Sequence, residues 1–150
     1  MQSPQRIDPT AADLSSDNYI EHTSGRGPAL SATTLLHAVN NVWSDVKGHA
    51  IEGDKAGKGL FEGNVFIGVN EIVVKDFKGQ LNSCPDAGAA AATKQFLGRE
   101  CQGNIYSKSG AFSRKDTGFL GEFKGLPIAR ATRAVNAQKK VPGQAGYGKI

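Results

Sequence analysis

Absences constrain this 150-residue chain more than its motifs do. It contains two cysteines, one tryptophan and one methionine. No run of 18 or more apolar residues occurs, so no segment reads as a membrane-spanning helix. The opening stretch, MQSPQRIDPTAADLSSDNY, has neither a basic block nor an apolar block. No secretory signal is visible there, and a cytoplasmic or particle-associated setting is the default expectation. Leu, Ile, Val and Phe are sparse, and much of the 39% hydrophobic fraction is alanine, which buries little area. A modest core follows. No internal repeat of 20–50 residues stands out.

Chemical motifs are also missing. The serines lack a GxSxG context and the histidines, His22, His37 and His49, form no HExxH. Those three read as surface or helix-end side chains. Gly53, Gly57 and Lys58 suggest a phosphate loop, but the spacing is one residue short, Gly59 stands where a hydroxyl is needed, and a strand rather than a helix follows. Cys84 and Cys101 match no zinc pattern. Bridged, they would close a loop worth roughly 3 kcal/mol in chain entropy; unbridged, they are ordinary thiols. No metal and no cofactor is expected.

What is present is sorted charge. Residues 1–54 carry a net −4, residues 55–100 a net +1 and residues 101–150 a net +7. A one-signed C-terminal third creates a field for an acidic partner, either a protein surface or nucleic acid. The residues that would carry it are Lys108, Arg114, Lys115, Lys124, Arg130, Arg133, Lys139 and Lys140, interleaved with Tyr106, Phe112, Phe119 and Phe123.

Glycine is the other excess: nineteen, against the usual ~7% of a chain. Residues 1–30 read as an extended polar arm, residues 31–141 as one small domain and residues 142–150 as a tail. Leu35, Val39, Val42 and Val46 recur at helical spacing, which predicts a helix over 31–47 with Gly48 as its stop. Residues 48–60 read as a loop. Residues 61–77 alternate as strand, with a slip near Asn70 and Glu71 that signals a bulge or tight turn. Helices are expected over 83–97, capped by Ser83 and ended by Gly98, and over 127–140.

The expected fold is therefore α+β: a small antiparallel sheet, about three helices and glycine-rich arms. The expected function is non-enzymatic, a structural or linker subunit of a large assembly that docks through its basic third. The alternatives are a small metal-independent ribonuclease-like toxin, with His49, Glu52, Arg130 and Arg133 as available groups, and a non-catalytic nucleic-acid binder.

Overall fold

The computed structural model describes residues 13–16, 19–21, 29–30, 34–53, 57–75, 77–124, 126 and 129–144. Eleven short strands lie among them. They are β1 (Asp13–Ser16), β2 (Tyr19–Glu21), β3 (Ala29–Leu30), β4 (Leu35–Val39), β5 (Val42–Ser44), β6 (His49–Gly53), β7 (Lys58–Glu62), β8 (Val65–Ile67), β9 (Glu71–Val73), β10 (Gln80–Asn82) and β11 (Ile105–Ser107). Helix α1 (Ala87–Leu97) precedes β11; a 3-10 turn (Leu120–Phe123) and helix α2 (Ala134–Gln144) follow it.

Each strand pairs with the strand three further along, and every such pairing is parallel. Three sheets result: β1-β4-β7-β10, β2-β5-β8-β11 and β3-β6-β9. The chain thus winds as a parallel β-helix, with one strand in each sheet per coil. The α+β expectation is overturned. There is no antiparallel sheet among the described residues, only an isolated antiparallel bridge between Asn82 and Lys115, and the α-helices number two rather than three.

The pairings also reveal the repeat that composition hid. Val42 faces Val65 and Leu36 faces Gly59, an offset of 23 residues; His49 faces Glu71, an offset of 22. Successive coils read Asn40-Asn41-Val42-Trp43-Ser44-Asp45, Gly63-Asn64-Val65-Phe66-Ile67-Gly68 and Gly103-Asn104-Ile105-Tyr106-Ser107-Lys108. The first position is left-handed at Asn40 (φ 54°) and Gly63 (φ 66°). The sixth is left-handed at Asp45, Gly68 and Lys108, between 50° and 64°. Asn and Gly tolerate that conformation, which turns the chain sharply from one sheet into the next. The slip at Asn70 and Glu71 is the shortened corner that leads from β8 to β9.

The segment expected as a helix over 31–47 is β4, a corner and β5. The corner at Asn40 and Asn41 shifts the side-chain alternation, so two strands imitate a spacing of four and three. Three valines and an Asn pair are poor helix material, and parallel pairing on both sides prevails over the weak helical pattern. The expected loop over 48–60 contains β6 and the start of β7.

Trp43 and Phe66 stack inside the coils and Tyr106, itself exposed, continues the column at its end, with centroid separations of 4.8 and 5.6 Å and near-parallel planes. Phe112 closes the bore edge-on against Phe61 (5.4 Å) and Phe66 (6.1 Å). Such ring pairs contribute about 0.5–1.5 kcal/mol each beyond burial. Leu36, Ala38, Leu81 and Ile72 complete this interior. Coils also meet closely: a Cβ at Gly79 would lie 2.0 Å from the Gly57 carbonyl oxygen of the preceding coil, so only glycine fits.

An asparagine ladder joins the coils at the first corner. Asn64 Oδ1 accepts from the Asn41 N–H (2.8 Å), and Asn104 Oδ1 accepts from the Asn64 N–H (2.8 Å). Asn64 Nδ2 donates back to the Ala38 carbonyl (3.1 Å) and Asn104 Nδ2 to that of Phe61 (3.1 Å). Corner amides cannot join the strand ladders, and these side chains satisfy them.

The Asn64-to-Asn104 spacing is 40 residues, because an excursion that carries α1 interrupts this coil. Cys84 and Cys101 are bridged across its neck. Asp86, not Ser83, caps α1, its Oδ1 accepting from the Ala89 N–H (2.8 Å). Ser83 instead donates its hydroxyl to the Phe112 carbonyl (2.8 Å). Gly98 ends the helix at φ 78°. Helix α2 begins at Ala134, seven residues after Pro127.

Replacing Asn64 with Ala removes one ladder acceptor and leaves the Asn41 N–H buried without it. Urea unfolding is expected to show a loss of about 2–3 kcal/mol. A loss below about 0.5 kcal/mol, the range of an ordinary surface change, would show that the ladder does not hold the coils.

Candidate functional site

The three sheets differ in what covers their outer faces. On the first sheet, Leu35 and Leu60 are buried under Phe119, Leu120 and Phe123, with Phe96 and Leu97 of α1 alongside. On the second, Val42 and Val65 are buried under Ala134 and Ala137 of α2. Among the described residues, no helix joins a cluster on the outside of the third sheet. That face carries titratable side chains instead.

His49 of β6 stands at its centre, paired in register with Glu71 of β9. His49 Nε2 lies 2.5 Å from Glu52 Oε2, and Nδ1 lies 3.8 Å from Glu71 Oε1. Their side chains are 31%, 24% and 48% exposed, respectively, so a ligand can reach all three. A histidine hydrogen-bonded to a carboxylate can accept a proton at one nitrogen while the other is held in place. No group of three or more His, Cys, Asp or Glu fit to hold a metal ion occurs among the described residues.

A second cluster is buried. Glu62 at the end of β7 is fully enclosed, with Oε2 2.5 Å from His37 Nε2. Arg99 donates to both its oxygens (2.8 and 3.0 Å), and the Gln102 N–H donates to Oε1 (3.0 Å). Arg99 also donates to the Ala129 carbonyl (2.8 Å). The network clamps both the exit of the α1 excursion and the segment leading to α2 onto the first sheet. His37, expected at a surface or a helix end, lies at its heart. Burial pushes the Glu62 carboxyl up, but the hydrogen bonds and charges of His37 and Arg99 outweigh burial and leave it below the ordinary glutamate value.

The basic residues singled out from sequence disperse over the fold. Arg114 is structural: its guanidinium donates to the Gly79 carbonyl and to Asp116 Oδ2 (2.8 Å each) and lies 5.8 Å from the Phe77 ring centroid. Lys115 reaches Asp86 at 3.5 Å. Lys108 is exposed in the turn after β11, and Lys124 after the 3-10 turn. Arg130 and Arg133 are exposed on the irregular segment before α2, and Lys139 is exposed on α2. The side chain of Lys140 lies outside the described residues, as do His22 and Arg26. Arg133 borders a cleft of about 240 Å³ formed by residues 102–105 and 133–135. Lys58, suggested by the glycine-rich stretch, is paired with Glu122 (2.9 and 3.1 Å).

Sequence reasoning named His49 and Glu52 only as available groups and missed Glu71 and the Glu62 network. The 22- and 23-residue offsets were the signal that would have placed them together: His49 and Glu71 differ by one offset, and His37 and Glu62 by one offset plus two residues.

Because the folded Glu62 carboxyl lies below its unfolded value of about 4.3, its contribution is fully present above that pH. It fades as pH falls through the lower folded value. Glu62→Gln is therefore expected to lower stability at neutral pH, by about 3–5 kcal/mol for a broken buried pair, and to flatten the acid limb of a stability–pH profile. An unchanged acid limb would remove Glu62 from that role.

No protein-family model matches the chain. Among curated proteins it is similar to a probable pectin lyase C of Aspergillus niger, 54% identical over 134 residues. It is similar to a probable pectin lyase A of Aspergillus flavus, 52% identical over 136 residues. It is also similar to a probable pectin lyase A of Neosartorya fischeri, 47% identical over 133 residues. Each match covers 89% of this chain but only 35–36% of the relative, so the chain spans about a third of the length of these proteins. Relatives named as polysaccharide-cleaving enzymes overturn the expectation of a structural or linker subunit. They equally overturn a toxin acting on nucleic acid and a nucleic-acid binder.

Proposed function

We propose that this chain builds part of the parallel β-helix of a pectin-cleaving lyase, with the polymer lying along the outer face of the third sheet. The observation that carries this reading is the combination of 47–54% identity to probable pectin lyases with a sheet face that keeps His49, Glu52 and Glu71 accessible. A lyase cleaves pectin, a polymer of galacturonate and its methyl ester, by elimination. A base removes the proton beside the carboxyl group, the glycosidic oxygen departs with its electron pair, and a carbon–carbon double bond forms without water. The accessible groups of this face suit such a substrate. They can hydrogen-bond sugar hydroxyls, and the His49–Glu52 pair can take up or deliver a proton. Parallel strands stacked about 4.8 Å apart give a long ribbed surface matched to an extended chain rather than to a small molecule.

The test places this chain in the matching segment of the Aspergillus niger relative. The chimera is checked for native circular dichroism and cooperative unfolding, then supplied with methyl-esterified pectin. Release of unsaturated ends, followed by ultraviolet absorbance, is the expected result; a folded chimera that releases none overturns the reading. In the active chimera, His49→Ala is expected to lower kcat/KM by about tenfold or more. Unchanged kinetics would take the polymer off this face.

A further inference from the structure

The geometry points to a second carbohydrate contact on this chain, away from the third sheet: a subsite for one unesterified uronate unit in the cleft between the first corner of the last coil and the start of α2, with Arg133 as its carboxylate anchor. The inference rests on the reading that the partner is pectin, and adds a place and a chemical preference that reading does not contain.

The cleft of about 240 Å³ lies below the roughly 300–1,000 Å³ of sites for drug-sized ligands, so it suits a single sugar ring. Its walls combine two chemistries. Ile105 and Val135 offer apolar surface of the kind that meets the hydrogen-bearing face of a sugar. Gln102 and Arg133 offer donors. The backbone of Gln102 is engaged with Glu62 and Gly63, which sets its position at the edge of the cleft. Arg133 differs from the other basic side chains that the structure has assigned work. Arg99 is bound to Glu62, Arg114 to Asp116 and Lys58 to Glu122, whereas the guanidinium of Arg133 has no partner among the described residues and is exposed.

Guanidinium is the side chain best shaped for a carboxylate, which it holds through two parallel hydrogen bonds. Arg130, also exposed and unpaired among the described residues, lies three residues earlier on the same irregular segment, and Lys139 follows on α2. The exposed cations Arg130, Arg133 and Lys139 favour an anionic stretch of the polymer here over one beside the Glu52 and Glu71 carboxylates. Methyl esterification would remove the charge Arg133 reads, so the subsite discriminates unesterified from esterified units.

The experiment titrates the full chain with unesterified trigalacturonate and with its fully methyl-esterified counterpart, by calorimetry at low salt. Arg133→Ala is compared with Lys78→Ala, which removes the same charge from an exposed position elsewhere. The expected result is binding of the unesterified trimer only, weakened about tenfold by Arg133→Ala and less than twofold by Lys78→Ala. Equal weakening by both variants, equal binding of both trimers, or no binding at all overturns the inference. The elimination assay reads separately: an inactive folded chimera with Arg133-dependent trimer binding rejects the lyase reading alone, and an active chimera with no such binding rejects the subsite alone.

Discussion

Everything in this fold depends on the backbone of one coil finding its partners in the next. A strand of three residues cannot stand alone, and a sheet of such strands needs every coil to return in register. The corners decide whether it does. A left-handed residue before Asn41 and Asn64 turns the chain, and the side chains of Asn64 and Asn104 take up the amide hydrogen bonds that the corners would otherwise leave unmade. Asn41, Asn64 and Asn104 thus link coils at a corner, between the paired strands. The aromatic column of Trp43, Phe66 and Tyr106 follows from the same register, because each ring sits two residues beyond its asparagine.

With the coils fixed, the outside becomes a question of cover. The first sheet is closed by the α1 excursion and the 3-10 turn, the second by α2. The buried Glu62 serves that closure: a carboxylate is costly away from water, and it stays charged because His37, Arg99 and the Gln102 amide surround it. The disulfide closes the neck of the same excursion, so a long insertion leaves the coil's register undisturbed. Among the described residues, the outer face of the third sheet carries the polar cluster of His49, Glu52 and Glu71.

Parts of this were legible in the residues. Helix α1 announces itself by Pro85, a run of alanines and Gly98, all local signals for which tertiary partners are not needed. The tight turn near Asn70 and Glu71 was visible as a break in alternation. The segment 35–46 misled because two strands meeting at a two-residue corner put Leu35, Val39, Val42 and Val46 at the same intervals as a helix face. The repeat was hidden for a related reason. It is carried by a few positions per coil, and the inserted α1 stretches the last interval from 23 to 40 residues. Charge sorting was real in the sequence, yet the docking subunit read from it is overturned by the likeness to probable pectin lyases, and one of its basic residues, Arg114, is engaged in holding the fold.

By itself, the sequence determined the composition of the first corner: asparagine or glycine at the left-handed residues Asn40 and Gly63, then asparagine, a β-branched residue and an aromatic ring. It determined the local helix α1 and the excess of positive charge toward the C-terminal end. Only the tertiary structure decided that strands too short to be stable alone would stack in parallel. That single outcome brings His37 to Glu62 and His49 to Glu71 across a coil, because pairing between residues 22 or 23 apart is a property of the closed coil and of no local segment. It also decided which cations are spent on internal partners and which, like Arg133, remain turned toward solvent.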